Sequence, residues 1–322
     1  MADLRQSGVR IAGVGSALPQ TVLKNSDLPP ELESSDEWIR SRTGIAQRHV
    51  VGDDELTSDL AVSAAQRALA AAGWGTDEVD LIVVATTTPD DTFPATAVQV
   101  QARLGCGPIP AFDVQAVCSG FLYGLGVVDA MLRAGRARKA LLVGAEAMSR
   151  IVDWTDRGTC VLFGDGAGAW ALEASDTDHI HALNLHAEGR LRDLLYVDGG
   201  PARGQRVGHL RMAGRDVFRH AVTNMSTAMS QAAQEAGLAL ADMDWVVPHQ
   251  ANQRILDAVA DKAGLDRERV ISTLAQHANT SAASVPLAFD VAVQDGRIRR
   301  GQTIMLAAMG GGFTWGAGVV TY

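Results

Sequence analysis

Three polar side chains stand out for what surrounds them. Cys118 lies in QAVCSGFLYG, after the apolar run AFDV and before a glycine-studded helical pattern. His249 lies in VVPHQANQRI, where a short apolar run ends and a helix begins. Asn279 lies in HANTSAASVP, a polar turn leading into another helix. A thiol at a helix N-terminus meets unpaired N–H groups and the positive end of the helix dipole, which favour a nucleophilic thiolate. Gly120 lets a substrate approach the backbone there. A histidine and an asparagine at strand ends, on turns of small residues, can donate hydrogen bonds into a cleft. Each residue also has a plain structural reading: an inert buried thiol, a satisfied core histidine, a turn or cap asparagine. Cys106 and Cys160 take that plain reading. The order Cys, His, Asn also occurs in cysteine hydrolases, so order alone does not separate hydrolysis from acyl transfer.

The elements that must position these groups occur twice. AAGWGTDEVDLIVVA (71–85) lines up with EAGLALADMDWVVPH (235–249), an Ala-Gly and an Asp leading into an apolar strand. An amphipathic helix precedes each block. The first spans 57–73, with Thr57 or Ser58 as N-cap and Gly73 at its end. The second spans about 216–236, with Phe218, Val222, Met225 and Met229 on one face. Gly135-Arg136 follows Cys118 at the spacing, 17 residues, at which Gly296-Arg297 follows Asn279. Strands alternate with helices throughout, with a helix expected from about Ser119 to Arg133, so the fold class is α/β. Two similar halves, 1–173 and 174–322, are expected to pack as a pseudo-symmetric pair. Chemistry would gather where they meet, at strand ends.

Composition narrows the function classes. The 322 residues are 47% hydrophobic with net charge −9, which argues against general nucleic-acid binding. Three cysteines at unrelated spacings suit neither a disulfide framework nor a zinc site, and fit a reducing cytosol. The start, MADLRQSGVR, is too polar for a signal peptide. Gly301–Tyr322 carries no charge, but its six glycines mark two buried strands, TIMLAAM and GAGVVTY, around a turn rather than a membrane span. GVGSALP (13–19) lacks the last glycine and the helix of a dinucleotide fingerprint. GDGAGA (164–169) precedes a strand and reads as a turn. Arg203, Arg206, Arg211, Arg215 and Arg219 form a basic run, either a solvated face or a patch for an anionic partner.

SSDEWIRSRTGI (34–45), AFDVQAVCSGF (111–121), DRGTCVLFGDGAGA (156–169), HQANQRI (249–255), HANTSAASVP (277–286) and GGGFTWGAG (310–318) together give the chain a specific likeness. From GVGSALP to the C-terminus it resembles β-ketoacyl-acyl-carrier-protein synthase III, a condensing-enzyme family of the thiolase-like superfamily. The resemblance implies a five-layered αβαβα fold of two pseudo-symmetric halves and a Cys118–His249–Asn279 triad. Cys118 would take the acyl group from acetyl-CoA or a similar short acyl-CoA. His249 and Asn279 would stabilise the enolate left when malonyl-acyl carrier protein loses CO2, and the backbone N–H groups of Cys118 and Gly311 would form the oxyanion hole. The products would be 3-oxoacyl-acyl carrier protein, CoA and CO2, initiating type II fatty acid synthesis without a cofactor or metal. The resemblance also implies Trp38 and Arg157 around the CoA adenine, Arg42 on a CoA phosphate, Phe93 crossing a homodimer interface to limit the acyl pocket, and Arg219 and Arg254 docking the carrier protein. The expected setting is cytoplasmic, with no nucleic-acid or membrane partner. Arg215 stands where several relatives have Asn, and Asp90 and Asp91 have no role in the pattern. Three rivals remain: a synthase III-like acyltransferase of secondary metabolism, a cysteine thioesterase or hydrolase, and an idle carrier-binding protein.

Overall fold

The structure is a computed structural model that describes residues 8–204 and 206–322. The polar stretch read as unlike a signal peptide falls, up to Ser7, outside the described residues. The first part of the chain runs through β1 (Gly8–Ala17), β2 (Thr21–Lys24), α1 (Asp36–Thr43), β3 (Gln47–Val50), α2 (Thr57–Ala72), β4 (Leu81–Ala85), α3 (Thr96–Leu104), β5 (Ala111–Val114), α4 (Gly120–Arg133), β6 (Lys139–Glu146) and β7 (Gly166–Ser175). The rest comprises β8 (Ile180–Ala187), β9 (Leu195–Gly199), β10 (Val207–Met212), α5 (Gly214–Glu235), β11 (Trp245–Pro248), α6 (Gln253–Ala263), α7 (Leu274–His277), α8 (Ser284–Gln294), β12 (Thr303–Gly310) and β13 (Thr314–Thr321).

Two mixed sheets carry the molecule. In the first, β5, β4 and β6 run parallel, and β7 and β1 add antiparallel. In the second, β11 and β12 run parallel, and β13 and β8 add antiparallel. The place that β5 holds in the first sheet is reduced in the second to one parallel bridge, Val270 to Val246. The apolar runs explain the layering, because strands such as LIVVA are buried on both faces and need cover on both. Helices α2 and α3 cover the outside of the first sheet, and α5 and α6 the outside of the second. Between the sheets lie α4 and α8. There Trp170 of β7 meets Phe121 of α4 and Phe289 of α8, with ring centroids 5.0 and 4.7 Å apart. The result is the five-layered αβαβα arrangement.

Both glycine motifs are explained by close packing rather than by phosphate binding. Gly13 and Gly15 belong to β1, and a Cβ on either would come within 2.5 Å of the α2 backbone. The expected turn at GDGAGA is instead the start of β7, which begins at Gly166. A Cβ on Gly168 would meet the Leu287 nitrogen of α8 at 2.6 Å. The start of α2 also differs from expectation. Its N-cap is Leu56 rather than Thr57 or Ser58, because the Thr57 hydroxyl turns to donate to the Thr88 carbonyl (2.6 Å). Two carboxylates take over the capping: Asp59 accepts from Leu56 N–H (2.6 Å) and Asp90 from Ser58 N–H (3.0 Å). Asp90 thereby acquires a structural role, and Asp91 accepts from Gln99 (3.1 Å). Gly301–Tyr322 forms the expected pair of buried strands. Among the described residues no helix is long and apolar enough to cross a membrane.

Candidate active site

Cys118 sits in a one-turn 3₁₀ segment, Val117–Ser119, between β5 and α4. Val117 before it has φ +50°, and Ala278 before Asn279 has φ +59°. Left-handed backbone at a β-branched residue or an alanine costs about 1–3 kcal/mol and persists only where the surroundings impose it. Around Cys118 the constraint is a hydroxyl pair. Ser119 and Thr314 lie 2.8 Å apart, and each donates to the Ala116 carbonyl, at 2.8 and 2.9 Å. This ties the cysteine turn to the glycine turn after β12. Around Asn279 the constraint is backbone pairing, with Asn279 N–H donating to Leu162 (2.9 Å) and Gly164 N–H to Asn279 (3.0 Å).

The two donors are held in defined orientations. Asn279 Oδ1 accepts from Ser281 N–H at 2.9 Å, which leaves the carboxamide N–H groups free to donate. His249 is anchored at the end of β11 by its N–H on the Ala307 carbonyl (2.7 Å). Its Nδ1 lies 2.6 Å from Ser284 Oγ, which already accepts from Gln250 N–H at 3.3 Å. With Ser284 donating to Nδ1, the imidazole proton sits on Nε2 and makes that nitrogen a donor.

Cys118, His249 and Asn279 line one cavity of about 400 Å³, together with Arg42 and Arg254. The first three are buried and the two arginines exposed, so the cavity has a cationic outer end and a buried inner end. Its walls are apolar and include Leu195, Met212, Phe218, Met225 and Met309. Among the described residues, neither the Cys118 N–H nor the Gly311 N–H donates to a backbone carbonyl. Cys106 and Cys160 do not line the cavity.

Electrostatics correct one expectation. Burial pushes the Cys118 thiol up to about 12 and His249 down to about 3. In the structure the pair is therefore a neutral thiol beside a neutral imidazole, not a thiolate. Burial is the first cause of both shifts, because the charged form is the one that it penalises.

Helix α1 positions the next groups. Ser35 caps it by accepting from Trp38 N–H (3.0 Å), and Trp38 and Arg42 then share an exposed face. Both the Arg42 and the Arg157 guanidinium lie over the Trp38 ring, at 4.7 and 4.9 Å from its centroid. A base between Trp38 and Arg157 needs roughly twice the 3.5 Å contact distance, so Arg157 must swing out to admit one. Asn252 caps α6 by accepting from Ile255 N–H (3.0 Å), which sets Arg254 at the cavity. Arg219 stays outside the cavity, 71% exposed and paired with Asp216. Phe93, at 84% exposure, does not line this cavity.

Three groups at the site were not singled out by sequence reasoning: Ser281, Ser284 and Glu146. The serines stand in the quoted HANTSAASVP, where the spacing from Asn279 could have raised them. Glu146 ends β6 as one more acid in a strand, and nothing in its neighbours marks it.

Comparison with known proteins places this geometry. Residues 112–189 match the family described as 3-oxoacyl-[acyl-carrier-protein (ACP)] synthase III, and residues 233–322 match its C-terminal counterpart. A β-ketoacyl-[acyl-carrier-protein] synthase III of Erythrobacter litoralis is 59% identical over 316 residues, covering 97% of this chain and 98% of the relative. The crystal structure of 3-oxoacyl-[acyl-carrier-protein] synthase III from Aquifex aeolicus superposes with a TM-score of 0.93 at 43% identity, covering 98% of this chain and 100% of that one. The priming β-ketosynthase of the R1128 polyketide pathway superposes at 0.94 with 33% identity, covering 100% and 98%. With near-complete coverage at this identity, the chain belongs to the 3-oxoacyl-[acyl-carrier-protein] synthase III family.

Proposed function

We propose that this acyltransferase condenses a short acyl-CoA, acetyl-CoA in the first instance, with malonyl-acyl carrier protein, using Cys118, His249 and Asn279 as its reacting set. The observation that supports it best is the single cavity in which a thiol adjoins two neutral donors, each oriented by a serine. Cys118 attacks the primer thioester, and the C–S bond to CoA breaks to leave an acyl-enzyme. The transient oxyanion is held by the Cys118 and Gly311 N–H groups. Malonyl-acyl carrier protein then loses CO2, and its enolate oxygen takes hydrogen bonds from His249 Nε2 and Asn279 Nδ2. A neutral imidazole suits this step, since it stabilises the enolate without readily giving it a proton, and the carbon stays nucleophilic toward the acyl-cysteine.

Trp38, Arg42 and Arg157 hold the CoA nucleotide, and Arg254 with Arg219 meets the acidic carrier protein. A second copy of the chain covers exposed Phe93 and places it at its partner's pocket. The halves 1–173 and 174–322 are read as the pseudo-symmetric units, and the setting as cytoplasmic, in keeping with three free cysteines. The likeness to the polyketide priming enzyme favours one second reading, a different primer. The donor tautomer of His249 counts against a hydrolase, which needs a base for water.

The test is intact mass after incubation with acetyl-CoA, followed by malonyl-acyl carrier protein. An acetyl adduct on Cys118, discharged as acetoacetyl-acyl carrier protein, is expected. Free acetate with neither adduct nor ketone overturns the proposal. Replacing Trp38 by alanine is expected to raise KM for acetyl-CoA about tenfold or more, since stacking is worth about 1–3 kcal/mol per base. Adduct formation at saturating acetyl-CoA keeps its rate.

A further inference from the structure

Asn279 is held by the chain beside it. Its N–H donates to the Leu162 carbonyl (2.9 Å), Gly164 N–H donates to its carbonyl (3.0 Å), and Phe163 forms a parallel bridge with it. The proposed decarboxylation donor is therefore placed only as well as residues 161–164 are. Those residues belong to no helix or strand, so their position must be fixed from outside.

Arg48 of β3 supplies that hold. Its side chain is fully buried. Nη2 donates to the Val161 carbonyl at 2.7 Å and Nη1 to Asn25 Oδ1 at 2.8 Å, with the Leu23 carbonyl 3.5 Å away. Asn25 is itself locked. Its Nδ2 donates to the Ile45 carbonyl and to Asp36, both at 2.8 Å, which turns Oδ1 toward the guanidinium. Among the described residues the partners of Arg48 are thus neutral, and its Nε has no acceptor. Cys160, the residue before Val161, offers no opposite charge, because burial pushes its thiol up to about 11. Burial pushes Arg48 down to about 10, which still leaves it a cation at neutral pH. A cation buried without an anion costs stability, so packing alone does not account for this arginine. What it secures is the carbonyl next to the one that Asn279 binds.

The backbone of β3 acts in the same place. Asp165 N–H donates to the His49 carbonyl (2.9 Å), and Ala46 N–H to the Ala275 carbonyl (3.0 Å). The strand and its flank therefore join residues 161–165 to the stretch leading into Asn279. A Cβ on Gly164 would stand 2.9 Å from Arg48 Cβ and 2.8 Å from the His277 carbonyl oxygen, so the three segments meet without spare room.

We propose that Arg48 is a positioning residue for Asn279. By holding the Val161 carbonyl it fixes residues 161–164, and through them the carboxamide that stabilises the enolate. Arg48 does not line the cavity and touches no substrate. The cysteine turn has its own support in the Ser119–Thr314 pair, so acyl transfer to Cys118 does not depend on this contact.

The proposal rests on Asn279 as a decarboxylation donor, and the experiment separates the two. Acetyl adduct formation and condensation by pre-acetylated protein are measured for the parent, Arg48→Met, Asn279→Ala and the double variant. Methionine is unbranched like arginine but brings neither charge nor donor. A misplacement of about 1 Å costs roughly 100-fold, so Arg48→Met is expected to lose roughly 100-fold in kcat for condensation, with KM for malonyl-acyl carrier protein little changed. Acylation at saturating acetyl-CoA is expected to fall far less. In the Asn279→Ala background the same substitution is expected to cost nothing further, because the donor that it positions is already gone. An arginine that only stabilised the fold would add its loss to that of Asn279→Ala. Parental condensation by Arg48→Met overturns the proposal, as do equal losses in both half-reactions or additive losses in the double variant. If Asn279→Ala condenses like the parent, the role of Asn279 fails, and the proposal with it. Arg48→Lys keeps the charge but cannot hold both acceptors, and it carries the same test where Arg48→Met does not fold. A loss of condensation that vanishes in the Asn279→Ala background is expected, and a loss that persists there overturns the proposal.

Discussion

Cys118→Ser is expected to form no acetyl adduct and no ketone, a loss on the order of 10⁴-fold or more, while still consuming malonyl-acyl carrier protein. The reasons lie in the site's electrostatics. Burial already pushes the thiol up to about 12, and a hydroxyl in the same place is harder still to ionise. His249, held near 3 and donating from Nε2, does not rescue it as a base. The side chain borders the cavity rather than filling the core, so one oxygen for sulfur leaves the fold intact. The proposed decarboxylation donors are separate groups on separate elements, His249 after β11 and Asn279 before α8. Malonyl-acyl carrier protein therefore loses CO2 and is protonated to the acetyl form instead of condensing. Mass spectrometry of the carrier protein and of the enzyme reads both outcomes. Loss of decarboxylation together with acylation sinks the division of roles between the cysteine and the two donors.

The placement of these three residues was partly legible in the sequence. The matched spacing from Cys118 to Gly135 and from Asn279 to Gly296 reflects helices α4 and α8, which both lie between the sheets. The correspondence goes deeper than spacing shows, because Val117 and Ala278 each take a left-handed backbone just before Cys118 and Asn279. Neither residue type announces it. Tertiary constraints impose it: the Ser119–Thr314 hydroxyl pair on one side and pairing with residues 162–164 on the other.

What stayed hidden depended on three-dimensional neighbours. Glu146 and the 281–283 turn meet, with Ala282 N 3.5 Å from the carboxyl, only because β6 and that turn pack together. The burial that pushes the Cys118 thiol up could not be read from its helix-start position, because it comes from residues distant in the chain. The start of α2 was misread for a related reason. Thr57 and Ser58 are good capping residues locally, but a threonine carbonyl and the Asp90 carboxylate claimed those roles from the loop after β4. Local propensity is a weak prior wherever a distant group supplies the same hydrogen bond.

Gly310→Ala is expected to lower kcat by roughly 100-fold or more, about the cost of losing one oxyanion donor. A Cβ at this position would stand 2.5 Å from the Cys118 nitrogen, 3.1 Å from Val117 Cβ and 3.2 Å from the Ala116 carbonyl oxygen. The first and last of these are backbone atoms, so no side chain can rotate away. Val117 cannot yield easily either, because its φ of +50° is already unfavourable and the Ser119–Thr314 pair pins the turn on its far side. Relief must come from separating the cysteine turn from β12, which moves the Cys118 N–H relative to Gly311. Overpacking of this kind also costs about 1–3 kcal/mol of stability, read as a lower melting temperature. Because the displaced group is a backbone donor, the loss should lie in kcat for both half-reactions with KM for acetyl-CoA little changed. Gly311→Ala gives an independent comparison: its Cβ would press on the Leu195 carbonyl oxygen at 2.7 Å, on β9 rather than on the cysteine turn. A Gly310→Ala protein with parental kcat would show that the contact between β12 and Cys118 does not set the oxyanion geometry.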